Sequence, residues 1–518
     1  MIGPGTDRAG RPIDPAGRTL IRDALIITVD SEDRILDPGD LLVEDGRIVY
    51  VGPARPDGAH RQGPFEREID GRRLVVIPGL VNAHTHTYAT LFKGSYEQMP
   101  LDLWLVAMRA PTRALSEELL HLSSLVAGVE MLKTGTTTAL DHFFGNPELP
   151  ASGIGAEIRA MREVGLRHAV AFVLMDMSWE DTLPLDENVR VRAHDAVSDV
   201  TRRETAQAID GAAGFIDEYH RSHPLTTCLV GPSAAHRCSD DLLRQARALA
   251  DETGVGIHLH LAEAKSHAIR NRELFGDSLV ARLDRLGVLG PDVSMAHGVW
   301  LDDDELDRIG RAGATIVHNP ASNLKLGSGI ARVPDMWARG VNVAVATDGP
   351  CSSDNFNMFE ALRLAGLLHT SNQVDYRDWP SARRVLRMAT RDAARAVRME
   401  DEIGSLEVGR LADLVTLTRD SVHWAARNDP TVQLVYSENG SSIDRVFVGG
   451  AEVVSGGRVT AIDEVALYRA VGEARASLEE AVSTSRAAVA PLEEPIHEMW
   501  ETLRDRPVPG VEPSAIFR

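Results

Sequence analysis

Histidine, aspartate and glutamate gather at three places in the sequence where metal chemistry would use them. His84-Thr85-His86 ends an apolar run, and in an extended chain the two-residue alternation points both imidazoles to one side. Two neutral imidazoles on one side suit a divalent metal. With 18 histidines in the chain, one such pair carries little weight alone. A second run ends His258-Leu259-His260-Leu261-Ala262-Glu263, and a third ends Thr347-Asp348-Gly349. Taken singly, each of these residues reads more simply as a hydrogen-bonded polar group at a strand end. His84, His86, His260 and Asp348 converging on one mouth read as the ligand set of one ion. His258 shares a strand side with His260 but lies one layer deeper, the place of a residue that orients a ligand or fills the core.

Such convergence needs a scaffold that brings distant strand ends together. Eight short apolar runs, at 74–86, 136–142, 169–175, 226–233, 256–263, 293–299, 315–320 and 341–348, are each followed by a helix-like stretch. That alternation predicts an α/β chain folded as a (β/α)8 TIM-like barrel, whose chemistry gathers at the C-terminal ends of its strands. Flanking strands at 23–29, 39–44, 47–51 and 73–77, and again at 413–418, 442–448 and 451–454, predict a small β-sandwich domain built from both flanks. Asp45-Gly46, Asp70-Gly71 and Gly449-Gly450 supply its turns. The expected organisation is therefore 1–77 and 399–460 for the β-domain, 78–398 for the barrel, and 461–518 for a helical C-terminal segment. Within that segment a helix is expected from 463 to about 486, followed by a proline-interrupted tail from Pro491.

A net charge of −21 leaves no positive surface for a phosphate backbone or an anionic bilayer, so nucleic acid and membrane are not expected partners. Total charge says nothing about a local cavity, and a small anionic substrate stays open. Three cysteines without regular spacing, Cys228, Cys238 and Cys351, make no disulfide framework and fit a reducing cytoplasm. The first 18 residues lack the apolar run of a signal peptide. A small-molecule substrate and a second copy of the chain, as a homodimer, are the expected partners.

The ordered motifs carry a resemblance. Pro78-Gly79-Leu80-Val81-Asn82-Ala83-His84-Thr85-His86, His260-Leu261-Ala262-Glu263, Ala296-His297-Gly298-Val299, His318-Asn319-Pro320-Ala321-Ser322-Asn323 and Thr347-Asp348-Gly349 resemble those of the amidohydrolase superfamily. The branch they are most similar to holds the S-adenosylhomocysteine and methylthioadenosine deaminases and the triazine hydrolases. The resemblance implies that His84, His86, His260 and Asp348 hold one divalent ion, zinc first with iron or manganese as alternatives. It implies that Glu263 shuttles protons and that His297 supports the attacking oxygen or the substrate. Relatives with two metals carry a lysine in the fourth run; residues 226–233 have none, which favours one ion.

In the adenosine-type deaminases of that branch a glutamate and a histidine contact the nucleoside. A gapless alignment from His86 places Arg113 where the glutamate belongs, and Ser233 where the histidine follows the fourth run. A cation in place of a ribose-binding carboxylate favours a carboxylate-bearing, phosphate-bearing or carbonyl-rich substrate over a neutral nucleoside. Arg167 matches an arginine of the branch, with a surface ion pair as its plainer reading. Trp104 can stack on a planar ring or serve as core, and His318 can shape the mouth.

The chemistry these residue types support is hydrolytic. A metal lowers the pKa of bound water toward neutrality, and the resulting hydroxide attacks an amidine-like ring carbon while Glu263 protonates the ring nitrogen. Loss of ammonia makes the enzyme an aminohydrolase. Loss of chloride or alkylamine would make it a triazine-type hydrolase, and a noncatalytic barrel is the reading that the intact residues disfavour. The ligand count predicts one divalent ion per chain by elemental analysis of gently purified protein; two equivalents, or none, would contradict it.

Overall fold

The computed structural model describes residues 17–145, 149–187, 190, 204–371 and 375–511. Expectations for the first 16 residues and for 512–518 lie outside the described residues. Strands β1 (Arg18–Ile27), β2 (Ile35–Glu44), β3 (Arg47–Pro53), β4 (Arg67–Asp70) and β5 (Leu74–Pro78) precede the barrel. The barrel strands are β6 (Leu80–Thr85), β7 (Thr136–Phe143), β8 (Arg167–Leu174), β9 (Thr226–Pro232), β10 (Ile257–Leu261), β11 (Val293–His297), β12 (Thr315–His318) and β13 (Asn342–Val345). They are followed by β14 (Leu414–Thr418), β15 (Ile443–Val448), β16 (Ala451–Ser455) and β17 (Arg458–Val459).

β6 to β13 pair in parallel and in chain order, as the eight runs predict. Nearly every residue in them is buried, because the lumen covers one face and the helices cover the other. The ring is drawn together across β6 and β13 by Asp348 N–H donating to the His84 carbonyl at 3.1 Å. Asn82 adds two bonds there, donating to Thr347 Oγ1 at 2.7 Å and accepting from Thr347 N–H at 3.1 Å. The helices between strands start at side chains that accept otherwise unpaired N–H groups: Ser116 from Leu119, Ser239 from Leu242, and Ser278 from Ala281.

The flanking strands form one nine-stranded mixed sheet, ordered β17-β16-β15-β14-β5-β1-β2-β3 with β4 on β1. The expected sandwich is met by the curl of this single sheet. Ile48 and Val51 near one end share a core with Leu414 and Phe447 near the other. β4, at Arg67–Asp70, was not foreseen, since its short polar sequence carries no strand signal.

The first apolar run is divided between the two sheets at Pro78-Gly79. A Cβ on Gly79 would stand 2.1 Å from Thr137 Oγ1, so only glycine lets the chain pass from sheet to barrel here. Its N–H donates to the Asp413 carbonyl at 2.9 Å. The same Asp413 accepts both arms of Arg167 at 3.0 Å and the Gly449 N–H at 2.6 Å.

The C-terminal segment departs from expectation. Helices Glu464–Ser477 and Glu479–Arg504 replace the proline-interrupted tail, and the second runs straight through Pro491 and Pro495. A proline inside a helix costs about 3 kcal/mol. Burial of Leu492, Ile496, Met499 and Leu503, worth about 1.5–3 kcal/mol each, offsets that cost. The helix lies against Leu101–Ala107, beside the barrel mouth. No described helix is long and apolar enough to cross a membrane.

Arg167 thus joins the barrel to the sheet, with side-chain exposures of 5% and 2% for the pair. Arg167→Ala leaves Asp413 buried without its cation. It is expected to cost about 3–5 kcal/mol in urea unfolding, while kcat per folded molecule stays unchanged; a surface-like loss near zero would contradict this reading.

Candidate active site

His84 and His86 close β6, His260 lies near the end of β10, His297 ends β11, and Asp348 follows β13. Two-residue alternation turns His84, His258, His260 and Asp348 toward the lumen. Which nitrogen carries each proton follows from what the other touches. His86 Nδ1 lies 2.7 Å from the His142 carbonyl and His260 Nδ1 lies 2.6 Å from the Ser233 carbonyl. A carbonyl can only accept, so both rings donate from Nδ1 and turn a bare Nε2 inward.

His84 Nδ1 meets His258 Nε2 at 2.8 Å, and His258 Nδ1 meets Ser294 Oγ at 2.7 Å. That relay leaves His84 Nε2 buried with no hydrogen-bond partner. The His86 and His260 Nε2 atoms face each other at 3.3 Å, and Asp348 Oδ1 stands 3.4 Å and 3.6 Å from the Nε2 atoms of His86 and His84. Ligand atoms of a tetrahedral zinc with bonds of about 2.0–2.1 Å stand roughly 3.3–3.4 Å apart. The donor set therefore fits one divalent ion.

Burial among other imidazoles pushes His84 and His260 well below the ordinary histidine range, so both are neutral, as a ligand must be. Ser322 Oγ donates to Asp348 Oδ2, and the Gly349 N–H donates to Oδ1 at 2.6 Å, so both oxygens of the carboxylate are held in place. Glu263 is pushed well above the ordinary carboxyl range, first by burial and then by Asp348. Glu263 Oε2 lies 3.6 Å from His297 Nε2, whose Nδ1 lies 2.9 Å from Asn323 Oδ1. Ala262, His297 and Asp348 all have left-handed backbones, with φ of 46°, 77° and 64°. Non-glycine residues held there store about 1–3 kcal/mol each, and such strain clusters at working sites.

An inner cavity opens over this group. Trp104 and Ser233 line it, together with His236, Arg237 and His267. An outer chamber continues past Trp104 and Arg237 and is lined by Arg113. Two expected substrate contacts fall elsewhere. Arg167 starts β8, at the opposite end of the barrel, and is committed to Asp413. His318 is buried at the end of β12 with its ring 5.6 Å from His369, and it does not line the cavity. Cys351 is buried and its thiol donates to the Ala89 carbonyl at 3.2 Å, so it is no nucleophile.

Sequence reasoning missed several participants. Ser322 and Asn323, given no separate role by the sequence, lie in the helix Pro320–Lys325 and hold Asp348 and His297. His142 closes the second run in inward register, a signal that was present but unused; it anchors His86 through its carbonyl. His236 and Arg237 sit in a short turn after β9, where no periodicity marks a lining residue.

With the geometry in place, comparison with known proteins is informative. A model described as "Amidohydrolase family" matches residues 75–453. A 5'-deoxyadenosine deaminase of Methanopyrus kandleri is 37% identical over 85% of this chain and 94% of its own. A 5-methylthioadenosine/S-adenosylhomocysteine deaminase of Desulforudis audaxviator is 36% identical over 87% and 97%. The crystal structure of an atrazine chlorohydrolase from Arthrobacter aurescens TC1, complexed with zinc, superposes with a TM-score of 0.80 at 26% identity, covering 88% of this chain and all of that one.

The relay behind His84 makes its own prediction. Replacing His258 with Leu frees the His84 ring to rotate and should weaken zinc binding by about 10–100-fold in a chelator competition. Unchanged affinity would reduce His258 to core filling.

Proposed function

The chain belongs to the amidohydrolase family, and from that membership we propose that it is a metal-dependent hydrolase that deaminates a nitrogen heterocycle at an amidine-like ring carbon. The observation that carries this reading is the meeting of three inward Nε2 atoms, the Asp348 carboxylate and a Glu263 carboxyl that burial pushes toward its protonated form. His84, His86, His260 and Asp348 would hold the ion. When bound, a divalent ion acts as a Lewis acid that lowers the pKa of water. Zinc is the reading favoured by the imidazole-rich set and by the zinc-complexed neighbour.

The chain's residues supply the rest. Asp348 takes a proton from the attacking water, with Ser322 steadying its second oxygen. Glu263 donates its proton to the ring nitrogen, so that negative charge does not build up there as the carbon becomes tetrahedral. His297, whose Nδ1 donates to Asn323, turns a bare Nε2 to the cavity that can accept a hydrogen bond from the incoming water. Return of a proton to the amino group lets ammonia leave, and the net change is one water added and one ammonia lost. Trp104 and Ser233 would contact the ring and Arg113 a substituent in the outer chamber.

Zinc-loaded protein screened against aminated and halogenated purines, pyrimidines, pterins and triazines tests the proposal, with ammonia, amine and halide read separately. Halide or amine without ammonia would replace deamination by triazine-type displacement. Glu263→Gln should keep the metal and lower turnover by about 10²-fold or more. Loss of metal in that variant would make Glu263 a ligand and overturn its assignment as the acid.

A further inference from the structure

The wall of the cavity facing the histidine cluster holds a cation that feels the buried Glu263 and Asp102 carboxyls at a distance but, among the described residues, is clasped by no carboxylate. Arg237 follows β9 in the turn Ala235–Arg237 and is only 8% exposed. Its Nε has no hydrogen-bond partner, and among the described residues its guanidinium makes no ion pair. Other buried arginines of this chain are paired: Arg167 forks onto Asp413, and Arg282 bonds Asp240, Ala235 O and Cys238 O. An arginine stays charged in a protein, so an unpaired one in a dry wall is costly unless a ligand brings the counter-charge.

Its surroundings point the same way. Arg237 lines both the inner cavity and the outer chamber, and stands where they join. The Trp104 and Trp179 Nε1 groups, which can only donate, are buried without partners along the same outer chamber. Arg109 and Arg113, which have partners of their own, also line it, and no carboxylate does. The chamber is thus rich in donors and poor in acceptors, in a protein whose overall charge is −21.

We propose that Arg237 is a specificity-determining residue that binds a carboxylate carried by the heterocyclic substrate, with the ring in the inner cavity and the carboxylate at the junction with the outer chamber. One unpaired guanidinium matches one monoanion, and its planar fork matches the two oxygens of a carboxylate. A dianionic phosphate would leave a charge unmatched. The inference rests on the deaminase reading of the inner cavity for which ring is turned over, but the recognition of the anion is separate from it.

Matched pairs of aminopurine, aminopyrimidine and aminotriazine, each bearing a carboxymethyl group or its neutral carboxamide, test the two apart with zinc-loaded enzyme. For the ring that releases ammonia, the acid should exceed the amide in kcat/KM by about 10²-fold. Arg237→Met should bring that ratio toward one, chiefly through KM, while Arg237→Lys retains part of it. Melting temperature and zinc content establish that each variant is folded and loaded, and if Arg237→Met does not fold the wild-type ratio and Arg237→Lys decide. If no ring releases ammonia the deaminase reading fails, and thermal shifts of the same pairs then decide the anion inference. A shift for an acid, absent for its amide and lost in Arg237→Met, upholds it. Equal preference for acid and amide, or a ratio untouched by either variant, overturns it.

Discussion

Three imidazole lone pairs and a carboxylate oxygen crowd one end of the barrel, and such a group is stable only around a positive charge. The His86 and His260 nitrogens face each other at 3.3 Å with their protons on the far side of each ring. What holds them there is not their own preference but the hydrogen-bond partners behind them. The His142 and Ser233 carbonyls, the relay from His258 to Ser294, and the Ser322 hydroxyl each fix one donor atom's direction. Turning any ring away would break a buried hydrogen bond, at about 1–3 kcal/mol. These outer partners set the geometry as firmly as the ligands do.

The barrel must close accurately for this to work, because the ligands come from strands at both sides of its seam. Asn82 sits two residues before His84 and grips Thr347, the residue before Asp348. The motif that supplies two ligands therefore also positions a third. At the opposite end, Asp413 gathers the Gly79 N–H, the Arg167 fork and the Gly449 N–H at one point. That junction couples the mixed sheet to the start of β6.

Electrostatics divide the cavity into two functions. The metal side is made of acceptors, and the facing wall holds donors, Arg237 and the indoles among them. The acidic total charge of the chain gives no hint of this, since surface carboxylates are solvated and the cavity wall is not. Left-handed backbones stand at Ala262, His297 and Asp348, at or just past the strand ends that carry the site. Strain of that kind survives only where dense packing leaves the chain no alternative.

Much of this was readable before any fold was known. Apolar runs with polar ends determine a parallel barrel, and His-x-His, His260-x-x-Glu263 and Thr347-Asp348-Gly349 determine where chemistry gathers, because alternation and strand ends are local properties of the chain. Tertiary structure alone decided which polar residues meet them. Arg167 and Arg237 look alike in sequence, yet one is neutralised by Asp413, 246 residues away, and the other faces the cavity unpaired. Ser322 and Asn323 are ordinary polar residues in sequence and act on Asp348 and His297, because the helix Pro320–Lys325 after β12 carries them to the mouth. The helix through Pro491 and Pro495 likewise follows from its burial against Leu101–Ala107 and not from its propensity. Local patterns encode periodicity; charge compensation and long-range burial depend on partners that only the folded chain brings within reach.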